Sequence, residues 1–128
     1  MWECPDLFKL GNQLVLSVSP QGLEKEEARY QNVFQSGYFL VDENHGDYTV
    51  RKFEEFDYGF DFYAVQTFED ESGRRILIAW MGLPMESEYQ EDPTVKYNWR
   101  HALTMPRELV IRNGAAVSYT HLRAHETT

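Results

Sequence analysis

Glu3 has the neighbours of a catalytic acid. It lies between the indole of Trp2 and the thiol of Cys4, and Pro5 comes next in the chain. A carboxyl group that is partly desolvated in this way is suited to donate a proton near neutral pH, as a general acid does. The alternative is an ordinary glutamate at a strand end, where the proline stops the ladder. The residue types alone leave both interpretations open.

The elements that must position this glutamate are β-strands. Residues 62–68 are dense in aromatic and β-branched side chains, and residues 75–81 form a nearly continuous apolar run. Between them, residues 69–73 supply turn formers, and Gly73 can adopt a positive φ. The pattern predicts a β-hairpin buried on both faces, which needs more sheet around it than one hairpin provides.

Other strand signals are short and separated by turns. They fall at residues 14–18, in two pieces within 30–41, at 47–53 and at 110–114, with turns at 19–22 and 42–47 and a solvated loop at 23–29. Gly37, inside an apolar run, indicates a bulge or a close backbone approach. Such short strands in turn-rich sequence predict an all-β fold, whether a sandwich, a barrel or a propeller.

Composition and charge exclude several classes of partner. The chain has 128 residues, of which 42% are apolar and 15% aromatic, enough for the core of one domain. Its net charge of −9 would repel phosphate backbones, so no nucleic-acid partner is predicted. No apolar run has the length of a transmembrane helix, so no membrane partner is predicted either. No signal peptide opens the sequence, and a cytoplasmic location is expected on that ground.

Neither a metal nor a cofactor is predicted. Cys4 is the one cysteine of the chain, which rules out an internal disulfide and any cysteine-based zinc spacing. His45 lies in an acidic turn without a second histidine nearby, so a surface turn is expected there. The acidic residues of the later loop lack the oxygen-ligand spacing of a calcium loop; they are Glu86, Glu88, Glu91 and Asp92.

Four motifs along the chain are shared by one family. Residues 2–6 read Trp-Glu-Cys-Pro-Asp, and residues 56–64 read Phe-Asp-Tyr-Gly-Phe-Asp-Phe-Tyr-Ala ahead of Gly-Arg-Arg-Ile-Leu-Ile-Ala-Trp-Met-Gly at 73–82. Residues 103–109 read Leu-Thr-Met-Pro-Arg-Glu-Leu after Trp99, with Met105 in place of a leucine. With Ser-Pro-Gln-Gly at 19–22, the chain resembles glycoside hydrolase family 32, and in particular its sucrose-6-phosphate hydrolase branch.

The resemblance implies both an architecture and a reaction. The family fold is a five-bladed β-propeller of four-stranded blades with the active site in its axial funnel, and this chain would cover about the later half. The implied reaction is retaining hydrolysis of a β-fructofuranoside, sucrose or sucrose 6-phosphate, by double displacement. A fructan hydrolase (levanase or inulinase) is the alternative within this chemistry. A non-catalytic carbohydrate-binding β-domain is the alternative outside it.

The resemblance also implies roles for individual residues. The family's acid/base glutamate falls on Glu3. Asp57, in the Asp-Tyr-Gly motif, would help to hold the sugar beyond the fructosyl unit, or it is a turn aspartate that bonds its own backbone. Trp80 could stack on a sugar face or pack at the hairpin end. Cys4 could tune the neighbouring acid or simply be buried.

Part of the family's catalytic set is missing from the sequence. The family nucleophile lies in an Asn-Asp-Pro-type motif and a stabilising aspartate in an Arg-Asp-Pro motif, both upstream of the acid motif. Neither motif occurs in this chain. Met1 is therefore expected to be an internal methionine of a longer gene or a fragment boundary, and the chain alone is expected to be inactive.

The last twelve residues depart from the family pattern. Residues 117–127 match the translation of a transposon-library sequencing adapter. The predicted organisation is therefore propeller over residues 1–116 and a non-native tail over 117–128, the alternative being a genuine basic-aromatic tail. His121 and His125 have helical i, i+4 spacing, but no metal site is predicted from a tail of this origin.

Overall fold

The computed structural model describes residues 1–84 and 93–120, and their regular structure is almost entirely β. One 3₁₀ turn, Val95–Tyr97, is the exception within these ranges. The ten strands of the described residues are β1 Trp2–Leu10, β2 Gln13–Pro20, β3 Gly37–Asn44, β4 Asp47–Val50, β5 Glu54–Glu55, β6 Tyr63–Glu69, β7 Arg75–Met81, β8 Ala102–Leu103, β9 Arg107–Arg112 and β10 Ala115–Tyr119.

The first sheet is antiparallel in the order β1-β2-β3-β4. Its outer strand is divided, because β4 pairs with the second half of β3 while β5 pairs with Gly37 and Tyr38 at the beginning of β3. The sheet is thus a four-stranded meander with an interrupted edge.

The second sheet repeats this plan in the order β6-β7-β9-β10, with β8 also paired to β7. Here the third strand is the divided one. β8 pairs with Trp80 and Met81, and β9 pairs with Arg75 to Leu77 at the other end of β7. The predicted hairpin is confirmed: β6 and β7 match the predicted strands to within a residue at each end.

The two sheets face one another across a shared apolar core. Side chains from both sheets form it, namely Phe8, Leu10, Val15, Tyr38, Leu40, Phe62, Val65, Leu77, Ala79 and Leu109. A smaller cluster of Val18, Tyr30 and Phe53 packs elsewhere on the first sheet. The first strands of the two sheets, β1 and β6, lie side by side and begin at the same end, since Tyr63 bonds Glu3 and Thr67 bonds Asp6.

Gly37 marks a close backbone approach, as predicted. A Cβ at this position would collide with the carbonyl oxygen of Glu54 and lie 2.5 Å from the ring of Phe53. The strand pair β3–β5 therefore depends on the missing side chain.

Several local predictions were wrong. Ser19 and Pro20 are not in a turn but end β2, where Pro20 pairs with Trp2. Proline has no backbone N–H to donate to the ladder. It is tolerated at Pro20 because this is the last residue of the strand, so no later ladder position is affected. The segment 30–34 is not a strand, although Phe34 forms an isolated bridge with Gln21.

The predicted strand over 47–53 shrinks to β4, all four residues of which are exposed rather than alternating. The hairpin is also less buried than predicted. Leu77 and Val65 are fully buried, but Phe68 is 49% exposed, so the turn end of the hairpin lacks a covering layer. Residues 23–29 carry no regular structure, as predicted. The acidic turn predicted at 42–47 narrows to His45 and Gly46, between β3 and β4.

β10 crosses the predicted boundary at residue 116. Ala115 and Ala116 lie before it and Val117 to Tyr119 after it, all paired with β9. The origin of the tail stays a prediction, and His121 and His125 lie outside the described residues, as do the acidic residues at 86, 88, 91 and 92. Within the described residues, the one helical element is a three-residue turn, far too short to cross a membrane.

Candidate active site

Glu3 lies near the beginning of β1, at the end of the sheets where β2 finishes and β6 begins. It pairs with Ser19, and the ladder then shifts register before Asp6 pairs with Ser17. Cys4, inside this bulge, has a φ of 50°. A bulge bends and twists the strand locally, so it re-aims the side chains beside it.

Two donors hold the carboxylate of Glu3 at the same oxygen. Gln21 Nε2 and the Tyr63 hydroxyl each donate to Oε2 over 2.7 Å. Within residues 1–84 and 93–120, Oε1 accepts no hydrogen bond. One oxygen is thus held by two donors, and the other has no hydrogen-bond partner among these residues.

Tyr63 connects this carboxylate to the second sheet. Its side chain is 3% exposed, and its hydroxyl also contacts the backbone oxygen of Ser19 at 3.2 Å. The ring of Phe34 packs edge-on against it, with centroids 5.6 Å apart. Burial first, and then the bond to the Glu3 carboxylate, raise the pKa of Tyr63 to about 12. Tyr63 therefore stays a hydrogen-bond donor across the neutral range.

Cys4 is half-buried next to Glu3 and is a free thiol. Burial, followed by the charge of Glu3, raises its pKa above the ordinary thiol value. A protonated thiol is a weak nucleophile, so burial, one of the two predicted roles for Cys4, is what the geometry favours.

Asp57 combines a turn contact with an ion pair. Its Oδ1 accepts the N–H of Gly59 at 2.7 Å, which is the predicted turn bond to its own backbone. Its Oδ2 accepts from Arg107 Nη1 at 2.7 Å, and the guanidinium of Arg107 also lies over the ring of Phe62. Asp57 lies in the segment that connects the two sheets, between β5 and β6, and its ion pair joins this segment to Arg107 of the Pro-Arg-Glu-Leu motif.

Trp80 is the pairing partner of Tyr63 in the β6–β7 ladder. Its partly exposed indole packs edge-on against His101, with ring centroids 5.1 Å apart. It also lies over the backbone of Gly82, where a Cβ would come within 2.5 Å of the indole nitrogen. Trp80 therefore packs at the end of the hairpin, which is one of its two predicted roles. This end of the sheets is also the end where Glu3 lies.

The site is thus built from three of the four predicted residues and two that were missed, Gln21 and Tyr63. Cys4 follows Glu3 in the chain. Trp80 pairs with Tyr63, whose hydroxyl donates a hydrogen bond to Glu3. Asp57 lies at the same end of the fold, but its bonds run to Gly59 and Arg107. Among the described residues, no group of three or more histidine, cysteine, aspartate or glutamate side chains is placed to hold a metal ion.

A family model decides which protein class this arrangement belongs to. The model described as "Glycosyl hydrolases family 32 N-terminal domain" matches residues 1–121. The chain belongs to glycosyl hydrolase family 32. As a family 32 chain, its two sheets are two blades of a β-propeller, which confirms the predicted architecture.

Curated relatives of this family 32 chain carry sucrose-6-phosphate hydrolase names. The protein from Bacillus subtilis is 54% identical over 113 residues, covering 87% of this chain and 23% of its own length. The protein from Staphylococcus xylosus is 48% identical, covering 89% of this chain and 23% of its own length. The chain therefore spans about a quarter of the length of the relatives it matches.

Solved family 32 structures show the same fold. A mutant of the Bombyx mori GH32 β-fructofuranosidase BmSUC1, in complex with sucrose, superposes with a TM-score of 0.81 at 36% identity, covering 96% of this chain and 26% of that one. The sucrose-6-phosphate hydrolase of Lactobacillus gasseri gives a TM-score of 0.77 at 35% identity, covering 93% and 25%.

Sequence reasoning on this family 32 chain missed Tyr63 and Gln21. Tyr63 was placed correctly in a buried strand but was treated as an apolar residue. A tyrosine inside a buried strand was a usable signal, because its hydroxyl needs a partner when buried. Gln21 belonged to a motif read as a turn, so its contact with Glu3 gave no sequence signal.

Proposed function

We propose that this chain is the part of a retaining β-fructofuranosidase that supplies the general acid/base, Glu3. The observation that supports this role is the double anchoring of Glu3 Oε2 by Gln21 and Tyr63, with Oε1 left without a bond from the described residues. An acid held at one oxygen keeps its orientation while the other oxygen gives and takes a proton. The intact enzyme hydrolyses sucrose or sucrose 6-phosphate.

In the first step, the protonated Glu3 gives its proton to the glycosidic oxygen of the leaving sugar. A second carboxylate attacks the fructosyl carbon, and the bond to the leaving oxygen breaks. In the second step, the Glu3 carboxylate takes a proton from water, and the oxygen of that water displaces the enzyme carboxylate. Retaining enzymes hold the two carboxyl groups about 5–5.5 Å apart.

The second carboxylate is not supplied by this chain in our proposal. Asp57 is engaged with Arg107 and Gly59, and it acts instead as a sugar-binding residue behind the ion pair. Trp80 and Cys4 line the same substrate-binding end. The isolated chain is therefore inactive, because an acid alone leaves the fructosyl cation without capture by a nucleophile. The parent enzyme acts in the cytoplasm.

Hydrolysis assays on two forms of the protein test this proposal. The chain alone should release no reducing sugar from sucrose or sucrose 6-phosphate above background between about pH 5 and 8. Restoring the upstream sequence should restore turnover, and Glu3→Gln in that enzyme should lower kcat by about 10²–10⁴-fold while sugar binding is retained.

Two outcomes contradict the proposal. A turnover of about 1 per second by the isolated chain would mean that another of its carboxylates, such as Asp57 or Asp61, serves as nucleophile. Unchanged turnover in Glu3→Gln would remove Glu3 from the acid/base role and favour a carbohydrate-binding domain. Glu43→Gln, on an exposed part of β3, is the matched control and should leave kcat unchanged.

A further inference from the structure

A second carboxylate of β1 bonds across the gap between the blades. Asp6 Oδ2 accepts both the backbone N–H of Thr67 at 3.1 Å and the Thr67 hydroxyl at 2.6 Å. Both residues are half-buried. Asp6 lies three residues after Glu3 on β1, and Thr67 lies four residues after Tyr63 on β6. The contact therefore joins the same two strands as the Glu3–Tyr63 bond, further down.

The backbone ladders do not set the alignment of these strands. β1 and β6 belong to different sheets, so no ladder joins them. Each strand also carries a register shift between the two contacts, with Cys4 at a φ of 50° in β1 and Ala64 at 53° in β6. A bulge changes the local bend and twist of a strand. Side-chain contacts therefore fix how far one strand sits along the other: the apolar core, shared by Phe8 and Val65, and the directional hydrogen bonds.

We propose that Asp6 is a positioning residue whose bonds to Thr67 fix the stagger of β1 against β6 and so hold the Tyr63 hydroxyl on Glu3. A hydrogen bond of 2.7 Å is lost when its atoms move apart by about 1 Å, so a small slide is enough to break it. Bonds to an ionised acceptor are roughly twice as strong as neutral ones, which suits Asp6 to this role. Its catalytic meaning rests on the function proposed above, but the geometric claim does not.

Tyr63 itself reports the stagger. The titratable groups that act on it are Glu3 and Cys4, both on β1. Burial is the first cause of the raised pKa of Tyr63, and the bond to the Glu3 carboxylate is the second. If β1 slides away, that carboxylate leaves the hydroxyl, and the pKa of Tyr63 falls part of the way from about 12 towards its ordinary value. This shift can be measured without any hydrolysis, so it is independent of whether Glu3 is the catalytic acid.

The experiment is a pH titration of the ring ζ carbon of Tyr63 by NMR in the chain labelled with ¹³C-tyrosine, the signal being assigned by its absence in Tyr63→Phe. Thr67→Val keeps the side-chain shape and the N–H but removes the hydroxyl, and it should lower the pKa of Tyr63 by about one unit. Thr67→Ser, which keeps the hydroxyl, should restore the wild-type value. Thr49→Val, on the exposed strand β4, is the matched control and should change nothing.

Asp6→Asn gives an independent reading if Thr67→Val does not fold. It keeps an acceptor oxygen but loses the charge, so the pKa of Tyr63 should fall in the same direction by a smaller amount. The proposal is overturned if the folded variants melt at lower temperature while the Tyr63 titration is unchanged, since Asp6 would then be merely structural. An unchanged kcat of the restored enzyme after Glu3→Gln would overturn the proposed function alone.

Discussion

Glu3 and Tyr63 occupy the same position in two successive blades. Each is the last paired residue before the bulge of its strand, and a 2.7 Å hydrogen bond joins them. The carboxylate and its donor thus come from matching places on neighbouring first strands. The orientation of the proposed acid therefore depends on how the blades pack as well as on Gln21 of its own blade.

We expect Tyr63→Phe to make the chain more resistant to alkali. The folded pKa of Tyr63 is about 12 against an ordinary value of 10.0. Folded Tyr63 keeps its proton where the unfolded chain releases it, so its contribution is complete below about pH 10 and is lost as the pH rises to about 12. Between about pH 9 and 12, the free energy of unfolding of Tyr63→Phe should fall by about 2–3 kcal/mol less than that of the wild type.

Urea unfolding at a series of pH values measures this difference. Tyr48→Phe, on the exposed strand β4, is the control and should follow the wild-type curve. Parallel curves for wild type and Tyr63→Phe would mean that neither burial nor the bond to Glu3 raises the pKa of Tyr63 in solution.

We expect Gln21→Met to slow the restored enzyme by about tenfold, because one of two hydrogen bonds to a charged oxygen is lost. The side chain keeps its length, so packing is preserved. The measurement is kcat on sucrose, with Gln66→Met, an exposed glutamine on β6, as the control. An unchanged kcat would assign the orientation of Glu3 to Tyr63 alone.

We expect a coupling energy of about 1 kcal/mol between Asp57 and Arg107, since both side chains are mostly buried and the bond is short. A double-mutant cycle with Asp57→Asn and Arg107→Met, followed by urea unfolding, gives this value. The Asp42–Arg51 pair is more exposed and should show little or no coupling. Equal coupling in both pairs would contradict a structural role for the Asp57 pair.

We expect Gly37→Ala to destabilise the chain by about 1–3 kcal/mol, because the new methyl group overlaps the Glu54 carbonyl and the Phe53 ring. Gly11→Ala is the control: no atom lies within 4 Å of its Cβ, so only the positive φ is strained. Thermal unfolding of the two variants compares them. A smaller loss for Gly37→Ala than for Gly11→Ala would show that β5 moves aside at little cost.

The sequence predicted elements better than contacts. The hairpin at 62–81 carried its own signal, since a turn former separates two apolar runs, and its strands were found to within a residue at each end. Glu3 could be recognised as a candidate acid because the residues that mark it, Trp2, Cys4 and Pro5, are its neighbours in the sequence. Neither the Tyr63–Glu3 bond nor the Asp6–Thr67 bond has a local signal, because each joins residues about sixty positions apart whose distance is set by blade packing.

The failures at Ser19–Pro20 and at 47–53 have a common cause. Ser19 and Pro20 have the composition of a turn, but they pair with Glu3 and Trp2 of β1. That pairing is not visible in the residues next to them. Alternation at 47–53 predicted a half-buried strand, but no layer covers β4, so its apolar residues Tyr48 and Val50 remain exposed. Tertiary context decided both cases.

In the second blade, the third strand is divided into β8 and β9, which pair with opposite ends of β7. We therefore expect β8 to separate from β7 more readily than β9 does. β8 has two exposed residues, and its junction with β7 is completed by Thr104, whose N–H and hydroxyl both bond Ala79. β9, in contrast, adds Leu109 to the core. Short, exposed strand pairs open locally at a low free-energy cost, so their backbone amides exchange with solvent readily. The amides of core strands exchange only when the whole domain unfolds. We therefore expect the backbone amides of β8 to exchange with solvent faster than those of β9, whose Leu109 is buried in the core.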